Sequence, residues 1–194
     1  MDYKHLVGDY LALEREVLDK LDIDSINTAL NFLREALEND CNIYVFGNGG
    51  SAATASHIVN DFNKGVSEHT EKKFRFQCLN DNIATVMAIA NDIGYDEVFR
   101  FQLTGRLKRG DLVVGISGSG NSSNVINAVE YAKSLGNTVI GLTGYNGGKL
   151  KQLADCSLHV PVDSMQITED VHMIFDHLMM SVFYKTLCGK AHIS

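Results

Sequence analysis

Apolar residues recur along this chain in two rhythms. Leu6, Tyr10, Leu13, Val17 and Leu21 follow one another at three- and four-residue spacing, the stripe of an amphipathic helix. Asp24 or Ser25 then reads as the cap of a second helix running through Ile26, Leu30, Leu33 and Leu37. After Asn39-Asp40 the rhythm changes. Residues 42–46, Asn-Ile-Tyr-Val-Phe, form a short apolar run that leads straight into Gly47. From there, short runs alternate with helical patterns: strands near 74–79, 111–116, 137–142 and 156–160, helices near 51–63, 82–91, 95–107, 122–135 and 166–187. Five short strands with helices between them predict an α/β domain, a parallel sheet covered on both faces. The last helix carries Met173, Phe175, Leu178, Met179, Met180, Val182, Phe183 and Leu187 on more than one face. A helix apolar on two sides is sandwiched between layers or subunits, so an oligomer is expected.

Composition narrows the class. A length of 194 residues suits one domain with a substantial core, and 45% apolar with 21% charged residues is ordinary for a globular protein. No linker or low-complexity tract divides residues 1–194, of which 1–40 form the helical extension and 41–194 the α/β core. A net charge of −7 lacks the basic footprint that nucleic acid requires. No apolar run approaches the roughly 20 residues of a membrane span, and the opening MDYKHLVGDY does not read as a signal peptide. A cytoplasmic location is therefore expected. Cys41, Cys78, Cys156 and Cys188 are widely spaced without a C-x-x-C pair, which points to reduced thiols.

The glycines are more informative. Ten of 17 fall in three clusters, each directly after an expected strand: Gly47, Gly49, Gly50; Gly115, Gly118, Gly120; Gly141, Gly144, Gly147, Gly148. That places all three at the carboxyl edge of the sheet, where open α/β sheets bind ligands. The first loop, Gly47-Asn-Gly-Gly-Ser-Ala52, fits G-x-G-x-x-A only formally. The acid expected about 20 residues on falls at His69 and Thr70, with Glu71 beside them, so no nucleotide cofactor is expected. The second, Ser117-Gly-Ser-Gly-Asn-Ser-Ser123, sets four hydroxyls around two glycines at a helix start. Such donors suit a phosphate monoester; the plainer alternative is a turn with capping serines. The third, residues 143–148, reads as a structural turn.

Two groups of titratable residues lie on helices. His57 and Asp61 are four apart and share a face beyond the first loop. Glu169, His172, Asp176 and His177 form a stripe on the last helix, with His172 and Asp176 as an i,i+4 pair. Two histidines with carboxylates on two helices suit a metal site or an acid–base pair. Solvated helix polarity, with Glu169 and Asp176 as salt-bridge partners, is the other reading.

GNGGSA followed by SGSGNSS, LTGYNGGKL and EDVHMIFDH resembles the sugar isomerase (SIS) domain, and within it the phosphoheptose isomerases, over nearly the whole chain. The resemblance implies a three-layer αβα sandwich with a flavodoxin-like, five-stranded parallel sheet. It also implies a homotetramer with composite active sites, and a sugar phosphate as ligand. It aligns His57, Asp61, Glu169 and His177 with four residues that bind zinc in several members and meet across a subunit boundary. This chain departs twice, with Asp61 for the family's Glu and Glu169 for its Gln. The activity implied is aldose–ketose isomerisation of sedoheptulose 7-phosphate to D-glycero-D-manno-heptose 7-phosphate through an enediol. Asp61 is then expected as the C–H base and His177 as the acid, with His57 and Glu169 completing a metal site shared with both. Asn48, Gly49, Gly50, Ser51, Asp92, Ser117, Gly118, Ser119, Ser122 and Glu169 are expected around the substrate. The alternatives are a non-catalytic SIS adaptor for a protein partner, and an isomerase of another sugar phosphate.

Overall fold

The computed structural model describes residues 1–189. Two helices, α1 (Lys4–Leu18) and α2 (Ile23–Glu38), precede β1 (Ile43–Gly47), α3 (Gly50–Asn60), β2 (Phe76–Cys78), α4 (Ile83–Asp92) and α5 (Arg100–Leu103). There follow β3 (Leu112–Ser117), α6 (Ser123–Ser134), β4 (Thr138–Thr143), α7 (Gly148–Leu153), β5 (Cys156–His159) and α8 (Met165–Leu187). The strands pair in parallel in the order β2-β1-β3-β4-β5. This is the flavodoxin-like order, whose crevice lies outside the carboxyl ends of β1 and β3.

Register explains the two cores. Cys78, Val45, Val114, Ile140 and Cys156 lie side by side across the five strands. Val45, Val114, Ile140 and Cys156 face the core shared with α2, α3 and α8. The alternate residues Tyr44, Val113 and Val139 face a second core with Val98, Leu103, Val125, Val129 and Leu150. Strands buried on both faces read as continuous apolar runs, which is why they are visible in the sequence.

Several elements differ from the sequence expectation. The second helix is capped by Asp22, whose carboxylate accepts from the Asp24 N–H and the Ser25 hydroxyl, rather than by Asp24 or Ser25. No single helix spans 95–107. A 3-10 turn at Tyr95–Glu97 and the one-turn α5 replace it, because Thr104 is extended (ψ 122°) and ends the ladder. The helix expected over 51–63 is α-helical to Asn60 and continues as a π-turn, Asp61–Gly65. The third glycine loop opens into α7, a helix not expected.

Helix α1 buries only Val17, leaving Leu6, Val7, Tyr10, Leu11 and Leu13 exposed. Its Tyr10 hydroxyl donates to the Asp170 carboxylate of α8. Among the described residues, no helix is long and apolar enough to cross a membrane.

Candidate active site

The first glycine loop joins β1 to α3. Asn80 pins its start, donating to the Gly47 carbonyl at 2.8 Å and accepting from the Gly47 N–H at 3.3 Å. Gly50 opens the helix with the Glu169 carboxylate against it; a Cβ there would fall 2.4 Å from both carboxylate oxygens. A carboxylate at a helix N-terminus sits at the positive end of the dipole. Asn48 is held by its neighbours. It exchanges reciprocal 2.9 Å bonds with the Asn124 amide, and its Oδ1 also accepts from the Tyr95 hydroxyl at 2.8 Å.

The second loop joins β3 to α6. Its Ser117 and Ser122 hydroxyls lie 3.0 Å apart, and Ser119 Oγ accepts from the Asn121 N–H at 3.2 Å. The third loop braces it from behind. The Gly144 N–H donates to the Gly118 carbonyl (2.8 Å) and the Leu150 N–H to the Gly120 carbonyl (2.9 Å). Gly120 has a φ of +66°, and a Cβ on it would lie 2.0 Å from the Gly147 oxygen, so only glycine fits. The third loop is thus structural, and its use is to shape the second.

A cavity of about 260 Å³ opens between the first two loops. Asn48, Gly49, Gly50, Ser51, Ser117, Gly118, Ser119, Ser122 and Glu169 line it, with Ile116 and Met165. Nine of the ten expected substrate residues therefore meet in one place. The tenth, Asp92, is exposed at the end of α4 and accepts from the Asn91 amide at 2.8 Å, outside this lining.

The titratable cluster lies further along α3 and α8. His57 Nε2 and His177 Nε2 are 3.2 Å apart. Asp61 Oδ2 is 3.4 Å from the former and 3.7 Å from the latter, and Asp176 Oδ2 is 3.9 Å from His57 Nε2. One donor atom from each of the four residues lies within 4.8 Å of the others. Both histidines are partly exposed, Asp61 is nearly buried and Asp176 is fully buried. Burial, and after it the charge of Asp61, push the Asp176 carboxyl up to about 7. Glu169 is not in this group; it is seven residues from Asp176, about 11 Å along α8 at ~1.5 Å per residue.

Some residues in the site were not singled out by sequence reasoning. Asn124 and Tyr95 orient Asn48, and the signal for Asn124 was its place in the first turn after SGSGNSS. Asp176, a member of the α8 stripe for which a metal site, an acid–base pair and a surface salt bridge all stand open in the sequence, falls among Val171, Phe175, Met179 and Phe183 on the core side of α8. Nor does it pair with His172. That ring is also buried, with Nε2 facing the Thr143 carbonyl at 3.3 Å, and burial holds it down to about 4. Burial pushes the Cys78 thiol up to about 12 and that of Cys156 to about 11, which removes both as nucleophiles.

The glycine cradle and hydroxyl loop lie at the sheet's carboxyl edge, and the His/Asp cluster lies further along α3 and α8 with Asp176 in place of the expected Glu169; comparison with known proteins identifies the family. The SIS domain family matches residues 9–144. This chain belongs to the SIS domain family. A phosphoheptose isomerase from Aliarcobacter butzleri is 35% identical over 179 residues, 91% of this chain and 94% of that one. A probable phosphoheptose isomerase from Thermoplasma acidophilum is 39% identical over 162 residues, 84% and 88%. The solved structure of phosphoheptose isomerase from Neisseria gonorrhoeae superposes with a TM-score of 0.87 at 30% identity, covering 95% of this chain and all of that one. In this SIS chain, His57, Asp61 and His177 come together within a single subunit.

Proposed function

We propose that this chain interconverts sedoheptulose 7-phosphate and D-glycero-D-manno-heptose 7-phosphate, the phosphoheptose isomerase reaction. The observation that carries the reading is spatial. The hydroxyl-and-glycine cavity sits at the N-termini of α3 and α6, and an acid–base group lies further down α3 and α8.

The phosphate is held by the N–H groups and hydroxyls of Ser117–Ser122, where the α6 terminus favours an anion. Its binding energy positions the far end of the open-chain sugar over the cluster. Asn48 and Ser51 bind hydroxyls on the way. Asp61 Oδ2 takes the proton from the carbon next to the carbonyl. An enediol results, and the same carboxyl returns the proton to the neighbouring carbon. His177 Nε2 supplies and withdraws the proton on the sugar oxygen, so that neither oxygen carries full negative charge. Asp61 is one methylene shorter than the family's Glu, so the sugar must approach α3 more closely.

A divalent ion such as zinc fits the donors present. Two imidazole nitrogens 3.2 Å apart and carboxylate oxygens around them are the mixed N/O set that zinc accepts. His57 and His177 through Nε2 and Asp61 through one carboxylate oxygen would hold it; it would supply Lewis-acid polarisation of the carbonyl in place of the His177 proton, leaving the other Asp61 oxygen as the base. The uncovered apolar side of α1, with Leu6, Leu13 and their neighbours, supports a homo-oligomer, a tetramer by the family resemblance.

The test is incubation with sedoheptulose 7-phosphate, following heptose 7-phosphate with and without zinc. Turnover is expected, falling about 1,000-fold in His177→Ala with KM little changed. Absence of turnover under both conditions would sink the reading.

A further inference from the structure

Asp176 is the anomaly of the site. It is fully buried, and neither carboxylate oxygen has a hydrogen-bond partner. The core around it supplies none: Phe175, Met179 and Phe183 line the same side of α8. A carboxylate so placed is costly unless paired or coordinated to a metal. Its one basic neighbour among the described residues is the His57 imidazole, with Nε2 at 3.9 Å, and its near neighbour Asp61 is another acid. Yet the side chain is aimed at the point where both Nε2 atoms and Asp61 Oδ2 converge. Glu169, the residue that family alignment would place there, is instead occupied at the start of α3, against Gly50.

We propose that Asp176, rather than Glu169, is the fourth ligand of a divalent-metal site made by His57, Asp61 and His177 within one subunit. The inference rests on the metal reading above and changes its consequence. Two carboxylates and two neutral imidazoles balance the charge of a divalent ion, and the buried orphan oxygens of Asp176 gain the partner they lack. Glu169 is then left in the substrate cavity as a hydroxyl-binding carboxylate.

The test uses the full-length protein stripped with chelator, then titrated with zinc against a competing indicator. Wild type is expected to take up one zinc per chain. Asp176→Asn should lower the affinity at least 100-fold, while Glu169→Gln should stay within threefold and raise the KM for the sugar phosphate instead. Cobalt substitution gives a second readout, since loss of a ligand alters the visible d–d bands; Asp176→Asn should change them and Glu169→Gln should not. Thermal unfolding in chelator separates ligation from architecture: Asp176→Asn should melt no lower than wild type, having lost an unpartnered buried charge, but should lose the rise that zinc gives. Zinc affinity unchanged in Asp176→Asn, or lost equally in Glu169→Gln, overturns this inference and leaves the metal reading standing. A wild-type protein that binds no zinc overturns both.

Discussion

The two halves of the site are built on opposite principles. The cavity end is made mainly of backbone and what stays close to it: N–H groups, serine hydroxyls one carbon from the main chain, and glycines that let loops touch, with Asn48 and Glu169 at its wall. The cluster end is made of side chains that reach from α3 and α8 to a common point. A backbone site is defined by loop shape and tolerates changes of side chain better than changes of conformation. A side-chain site is the reverse, since the helices carrying it are ordinary. The difference teaches where each end is vulnerable.

The sharpest way to break the cavity alone is Gly120→Ala. Its positive φ, and a Cβ 2.0 Å from a main-chain oxygen, should cost about 3 kcal/mol of stability. Zinc uptake by the protein that remains folded should be unchanged. Denaturant unfolding and zinc titration of the same sample check both halves; equal loss of both would mean the two ends are not independent.

His172 sits between the ends, holding α8 to the last residue of β4. Its folded value of about 4 lies below the unfolded ~6.5, so the unfolded chain binds more protons between them. Stability from this group is therefore complete above about pH 6.5 and is lost as pH falls toward 4. The loss should be about 2 kcal/mol by pH 4.5, His159 being the nearby imidazole that adds to it. Urea unfolding at pH 7 and 4.5 should show a smaller pH difference in His172→Gln.

The smallest effect expected is that of Ser119→Ala. Losing one hydroxyl donor to a charged phosphate should weaken sugar-phosphate binding about tenfold and leave the melting temperature alone. An unchanged KM would move the phosphate away from this loop.

This contrast also explains what the sequence revealed. The parallel sheet and the cavity were legible because buried strands and ligand-approached turns restrict residue type position by position: VVGIS, then SGSGNSS. His57, Asp61 and His177 were legible through spacing on helices and through family resemblance. Asp176 was legible only as one acid of the α8 stripe; its burial was not, because an acid in a helix reads as surface until the phase of α8 is known, and that burial depends on α3 packing alongside. Tyr95 and Asn124 escaped for a related reason. Their roles are contacts with Asn48, 47 and 76 residues away in sequence. The broken segment over 95–107 failed locally, its apolar residues following helical spacing through a turn at Thr104.

The π-turn at Asp61–Gly65 carries one more consequence. Its Asn63 accepts from the Phe76 N–H at 2.9 Å and donates to the Phe76 carbonyl at 2.8 Å. Phe76 lies in β2, a border strand of the sheet, and a side-chain amide is thus standing where another strand would hydrogen-bond. Open borders of this kind are templates for pairing with a second chain. The five residues that begin with the proposed base Asp61 therefore also cap the sheet's border, and an Asn63→Ala variant should reveal this as edge-to-edge association, seen by light scattering, before it shows in catalysis.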